Sequence, residues 1–493
     1  AEVTTSENRK AVSYKSMREF MMILEERGLL KRINAEVDLD FEVGAISYRS
    51  LTRTGPGLLF ENIKENPDKQ LVTNIMYSLD QLAVAFNGPK DWVKLHDIVK
   101  EGMADRLPSV KVDDGPVKEV KIFGEDVDLA EIPTPLWHEL DAGRYIATTA
   151  GVITVDPKTG AHNMGQYRSM IIDRNHTTVK IQGDFAVGAK PPTGSTYGGV
   201  GDRNSAVHIL ENEALGKNTP CAIALGMDPL LVLAAGTAVP ENDQGLAEYD
   251  AAGAWAGRPV ELVKCDTIDV WVPAESEYIL EGEILAGERH FDGPHGESSG
   301  FYNKNYAAFV FRVNAITHRK SPINFGLICG RIEDYPRPLM RSGSILQTLV
   351  SKSGLTNILE VHFPDAGAGG VIVIRAKIEK EGQARQILDA AYQHLRYRWV
   401  VLVDEDCDVR DWNDIWWRIV SFCEPGDNTF IGPEHPRHLG RPGEMDFVPP
   451  PHGMGIDATR EHKKTEYPVP PPSKPTMEIL DKVGERWDEL GLS

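Results

Sequence analysis

His290-Phe-Asp292-Gly-Pro-His-Gly-Glu297-Ser-Ser-Gly300 sets two carboxylates, Asp292 and Glu297, on either side of a Gly-Pro-His-Gly run. Glycine and proline there predict a tight, pre-set turn that the acids flank. Paired acids on a rigid backbone suit general acid/base chemistry, in which one is kept neutral and the other charged. Taken alone, the segment reads first as an acidic surface turn, and its surroundings decide.

Working outward, the neighbouring sequence is rich in short β-type runs. Ile146–Val155, the turn Asp156-Pro-Lys-Thr-Gly160 and then Asn163–Asp173 predict a hairpin. Arg174-Asn175 turns into Thr177–Gln182, and further strands are expected at Thr219–Leu225, Val260–Val272 and Ala307–Ile316. Many strands between Gly/Pro turns predict a barrel-like core over residues 118–325. Within it, Gly188–Gly201 is too rich in glycine and proline for regular structure and is a candidate lid.

Before the barrel, Ser16-Met-Arg-Glu19 reads as a capping box, with Phe20, Ile23 and Leu24 as an apolar stripe ended by Gly28. Strands at Leu30–Val37 and Leu58–Asn62 complete an N-terminal α/β domain over 1–117, linker included. After Gly326, helices near Ser344–Ser353, Glu381–Arg396 and Trp412–Val420 alternate with strands Gly370–Ala376 and Trp399–Val403, a C-terminal α/β domain over 326–448. A proline-rich tail, 449–493, carries one helix with Leu480, Val483, Trp487 and Leu490 at heptad spacing, suited to its own core or to a partner subunit. The fold class is α/β (α+β).

A net charge of −20 excludes a binder of nucleic-acid backbones, which needs a basic face. Five scattered cysteines with no CxxC pair predict reduced thiols rather than a disulfide framework or zinc site. The polar first residues and the lack of a long apolar run predict a cytoplasmic protein without a membrane span.

Asn163 and Arg168, five apart, would face opposite sides of a regular strand; Gly165 between them could permit a bulge that aims both at one site. Glu248 follows a polar loop and by itself is a surface acid. Asp404, Asp406 and Asp408 imitate an EF-hand start, but Val409 and Ile415 replace the required glycine and glutamate, so calcium is rejected. His290 and His295 lack zinc spacing, and no dinucleotide, P-loop or nucleophile-elbow motif occurs.

In order along the chain, these segments resemble the UbiD family of prenylated-FMN-dependent decarboxylases over almost the whole length. Asn163-x4-Arg168 is similar to the family's Asn-x4-Arg motif. Ala247-Glu248-Tyr-x-x-Ala-Gly253 with Val263-Lys-Cys265 is similar to its metal-glutamate segment. Val272-Pro-Ala-x-x-Glu277-x-x-Leu-Glu281-Gly followed by Asp292–Glu297 is similar to its catalytic segment. Asp411-Trp-Asn-Asp and Gly455-Ile-Asp-Ala-Thr459 match C-terminal landmarks.

The resemblance implies that residues 118–325 form a split β-barrel that binds prenylated FMN, with a divalent metal, usually manganese, and often potassium. It implies flavin contacts at Asn163, Met164, Gln166, Tyr167, Arg168, Gln182, Thr237 and Glu248. Metal ligands would be Asn163, Glu248 and, in place of the family's usual histidine, Asp184. The catalytic set would be Arg168, Asp292 and Glu297, with Glu297 as proton donor and Asp292 one methylene shorter than the family's glutamate. It further implies a flavin prenyltransferase as cofactor supplier and assembly as a homodimer or homohexamer. The implied activity is reversible, non-oxidative decarboxylation of an aromatic, heteroaromatic or α,β-unsaturated carboxylic acid. Hydroxybenzoate-acting relatives tend to carry a histidine around Asn324–Gly326, and this chain has none there; Leu327, Ile328 and Met340 suggest an apolar wall or plain core. The rival readings are a redox flavoenzyme on ordinary FMN and a non-catalytic flavin-binding or assembly subunit.

Overall fold

Ser16 caps the first helix, Met17–Glu26, accepting from the Glu19 amide. The expected capping box is half formed: the Glu19 carboxylate takes the amide of Lys15, at 2.6 Å, in place of that of Ser16. Phe20 and Leu24 are buried, and Gly28, at φ 71°, turns the chain out of the helix. This computed structural model describes residues 11–52, 55–181, 185–190, 205–237, 239, 245–297, 300–329, 336–364, 370–395, 397–434, 452–460, 473, 475–484, 486 and 489–490. The expected lid from 191 to 201, Gln182, Asp184, Trp487 and most of the proline-rich tail lie outside them.

The described residues up to 340 form one compact unit and those after it a second. In the first, strands Leu30–Ile33, Gly57–Phe60 and Gln70–Thr73 make a sheet that is completed by Ile323–Phe325, parallel to Gln70–Thr73. The barrel sheet runs His176–Val179, Tyr302–His318, Tyr278–Gly296, Thr219–Leu225, Gly151–Val155, His162–Gly165, antiparallel throughout, with Val120–Phe123 also on Tyr302–His318. Alternate residues of these strands, among them Val152, Ile223, Leu280, Phe309 and Phe311, fill its apolar interior.

Arg18 on the first helix pairs both carboxylate oxygens of the fully buried Glu277, at 2.7 Å each. Glu281, also fully buried, accepts from Lys118 and from the amide and hydroxyl of Thr267. Glu277 and Glu281 are therefore bound into structural contacts. Desolvated carboxylates persist where such partners compensate them.

Helices Ser205–Ala214, Pro229–Ala235 and Ala247–Ala256 pack on the barrel strands. The last is buried along its whole length, Glu248 and Asp250 included, so no amphipathic period marked it. The second unit holds a five-stranded sheet, Ile358–His362, Val371–Ala376, Trp399–Asp404, His452–Asp457, Thr429–Glu434, with helices Gln383–His394 and Trp412–Phe422. There Asp404 and Asp406 pair with Arg418 and Arg460. Among the described residues, no helix is long and apolar enough to cross a membrane.

Candidate active site

The Asp292 segment is not a turn. It is the end of the 19-residue strand Tyr278–Gly296, where Asp292 lies opposite Asn305, His295 opposite Asn303 and Gly296 opposite Tyr302. Register shifts bracket the cis Gly293-Pro294 bond, and Gly293 sits at φ 102° with no room for a Cβ, which would lie 2.5 Å from the Asn303 carbonyl. The chain turns only after Glu297, whose amide donates to Phe301 O at 3.0 Å.

Arg168 lies between the two acids. Its Nε donates to Asp292 Oδ1 at 2.7 Å, its Nη1 binds Glu297 Oε1, and its Nη2 reaches the Asn303 carbonyl at 3.4 Å. Burial acts against the guanidinium charge, but the two carboxylates outweigh it and hold Arg168 well above its ordinary value, a permanent cation. Asp292 is fully buried; Thr178 Oγ1 donates to its Oδ2 at 2.5 Å and the Tyr145 hydroxyl to its Oδ1 at 3.4 Å.

Glu297 accepts on Oε2 from Asn303 Nδ2 at 2.9 Å. Burial raises its carboxyl, while Arg168, Lys180 and the Asn303 amide together pull it below the usual carboxylate value. The opposed effects leave its proton affinity sensitive to whatever else enters the site. We expect Asn303→Leu, which deletes one of the lowering groups, to shift to higher pH the limb of the kcat/KM profile on which activity falls as Glu297 loses its proton. An unmoved limb would show that Asn303 does not act on Glu297.

Behind the strand end sits a cluster that the sequence did not reveal. Asp141 Oδ1 accepts from the Gly296 amide at 2.9 Å and faces His295 Nδ1 at 3.5 Å, while Oδ2 meets His138 Nδ1 at 3.1 Å. Burial raises Asp141, but the two imidazoles hold it well below its normal range, and burial keeps His295 low and neutral. The His295 ring stacks on Tyr145, centroids 4.0 Å apart. Asp141, Tyr145, Thr178 and Asn303 carried no motif because each reaches the site across strands or loops.

Asn163 and Arg168 reach different groups. The strand His162–Gly165 ends at Gly165, and the Gln166 amide then bonds Ala235 O, so the chain leaves the sheet instead of bulging. A Cβ on Gly165 would lie 2.5 Å from the Tyr167 ring, which is why glycine stands there. Asn163 Nδ2 donates to Ser205 Oγ at 2.9 Å. The Tyr167 phenol is hydrogen-bonded to Asn163 and Ser205 and lies within the field of Glu248. Met164 is buried in the core, Gln166 Nε2 donates to Val232 O and Thr237 Oγ1 to Leu233 O.

Near Gly326 the expected contrast has a steric cause: a Cβ there would come within 2.5 Å of the Trp137 indole. Ile328 is buried in one apolar cluster with Trp137, Tyr145 and Met170, so it is core. Leu327 is half-buried, its amide on Thr148 Oγ1.

Family models described as the N-terminal, Rift-related and C-terminal domains of 3-octaprenyl-4-hydroxybenzoate carboxy-lyase match residues 21–101, 109–190 with 194–332, and 339–458. An uncharacterized protein of Synechocystis sp. is 32% identical, over 97% of this chain and 96% of that one. The UbiD-class enzyme HmfF of Pelotomaculum thermopropionicum, in an evolved dimeric form with prFMN, is similar at 27% identity and TM-score 0.77, over 94% of this chain and 100% of that one. Vanillic acid decarboxylase of Sedimentibacter hydroxybenzoicus, in its open form, is similar at 26% identity and TM-score 0.81, over 98% and 100%. The chain belongs to the UbiD family of carboxy-lyases.

Proposed function

We propose that this chain is a prenylated-FMN-dependent decarboxylase of a fused-ring, heteroaromatic or cinnamic-type carboxylic acid. The observation that carries the reading is the buried Arg168 held between Asp292 and Glu297. The prenylated flavin, when bound, supplies the electron sink that makes loss of carbon dioxide feasible. Arg168 orients the substrate carboxylate. As that anion shares Arg168 with Glu297 and water is excluded, burial gains over the guanidinium's pull and Glu297 takes up a proton. When the C–C bond to carbon dioxide breaks, Glu297 delivers this proton to the same carbon and a C–H bond replaces it. Glu297 is left ionised and regains a proton from solvent only when the next substrate binds; the reverse sequence is carboxylation.

The donors available suit a hard divalent cation beside a flavin phosphate: an amide oxygen on Asn163 and a carboxylate on Glu248, both adjoining Tyr167. Asp184 is the proposed third ligand, with manganese the proposed metal and potassium a second cation. Gln166, Gln182 and Thr237 complete the proposed flavin contacts. A prenyltransferase supplying the cofactor and a homo-oligomeric assembly belong to the same reading.

The substrate class rests on Gly326, where the Trp137 indole leaves no room for an imidazole. A site built to hydrogen-bond a ring hydroxyl gains heavily from it, whereas an apolar pocket discriminates only weakly, so the expected outcome is a preference. Holo-enzyme incubated with a panel of acids should release carbon dioxide from cinnamic-type or heteroaromatic acids in preference to hydroxybenzoates. Turnover confined to protocatechuate-like or gallate-like acids overturns the substrate class. A released flavin with the mass of plain FMN, in protein made alongside a flavin prenyltransferase, points instead to redox chemistry.

A further inference from the structure

A buried chain of side chains stands behind Asn163. Thr154, Ser205 and His208 are each at most 1% exposed. Thr154 Oγ1 donates to Ser205 Oγ at 3.0 Å, and His208 Nδ1 lies 2.9 Å from Thr154 Oγ1. A hydroxyl has one proton, and that of Thr154 is spent on Ser205, so His208 must carry its proton on Nδ1 and donate. Ser205 Oγ accepts from Thr154 and from Asn163 Nδ2, at 2.9 Å. The NH2 end of the Asn163 amide is thereby fixed on Ser205, and Oδ1 is the opposite end of the same planar group.

We propose that Ser205, fixed by Thr154 and His208, is a positioning residue that sets the direction of the Asn163 amide and presents Oδ1 to the divalent cation. The inference rests on the metal reading above, which names Asn163 and Glu248 as ligands but assigns nothing to Thr154, Ser205 or His208. An amide free to rotate would offer NH2 to a cation half of the time and would lose conformational entropy on binding. Side chains that orient a ligand typically change metal affinity about 10–100-fold when removed.

The test is Mn2+ titration, followed by electron paramagnetic resonance of free and bound ion, on the full chain loaded with FMN and stripped of divalent ions. Thr154→Val keeps the shape and removes the hydroxyl; its Mn2+ Kd should rise by about tenfold or more, with Thr154→Ser restoring the wild-type value. Ser205→Ala should weaken binding at least as much. Unchanged affinity in Thr154→Val or in Ser205→Ala overturns the inference, provided Asn163→Ala and Glu248→Ala abolish binding. Wild-type affinity in those two controls sinks the metal reading itself. A loss in Thr154→Val that Thr154→Ser does not restore also counts against the inference, since it would mark a packing defect.

Discussion

Glu297→Gln should retain flavin and fold yet lose about 10²–10⁴ in turnover, the usual contribution of a positioned acid/base. The amide keeps the size of the side chain and can still accept from Asn303 Nδ2, so the local hydrogen bonding survives. What it cannot do is carry a transferable proton. It also removes one of the two anions that face Arg168, and Asp292 remains as the counter-charge. Turnover near the wild-type value would assign the proton to another group, with Lys180 and the Tyr145 hydroxyl the next candidates by proximity.

Arg168→Met should produce the largest combined effect, on stability and on activity. With the guanidinium gone, the Asp292 carboxylate keeps only the Thr178 and Tyr145 hydroxyls and stays fully buried. Removing one partner of a buried pair costs about 3–5 kcal/mol, most of it the uncompensated charge. Activity should fall by at least about 10²–10³, since a preorganised charge at the reacting group is lost. The double variant Arg168→Met/Asp292→Asn separates the two effects: it should recover much of the thermal stability and none of the activity. A single variant that melts like the wild type would show that Asp292 is not held as an anion by this pair.

The residues at fixed short spacing were legible. Asn163 with Arg168, and Asp292 with Glu297, stand in ordered motifs, and the three acid–base groups do meet. The local reading of the Asp292 segment as a turn failed because glycine and proline report only on their own backbone. Pairing with Asn303 and Asn305 across the sheet overrides them and keeps the segment in a strand. Asp141 and Asn303 were illegible for a related reason. Asn303 owes its place to strand register, which shifts every side chain by a face when it slips by one residue, and Asp141 is carried in by the irregular segment before Tyr145. The helix Ala247–Ala256 escaped notice because burial on every side erases the 3.6-residue period by which helices are read. Glu277 and Glu281, which stand in the same motif, are committed to Arg18, Lys118 and Thr267.

The strand Ile323–Phe325 has a bearing on how the chain must be made. It seals Gln70–Thr73, a strand synthesised some 250 residues earlier. Until the ribosome has passed this point, the N-terminal sheet presents an open, apolar edge made of Leu71 and Val72. Such an edge is a template for pairing with another chain. Emerging from the ribosome at roughly 5–20 residues per second, the nascent N-terminus waits on the order of ten seconds or more for its partner strand. Newly made chains are therefore exposed to mispairing during that interval, and slower elongation or early termination inside the barrel segment prolongs it.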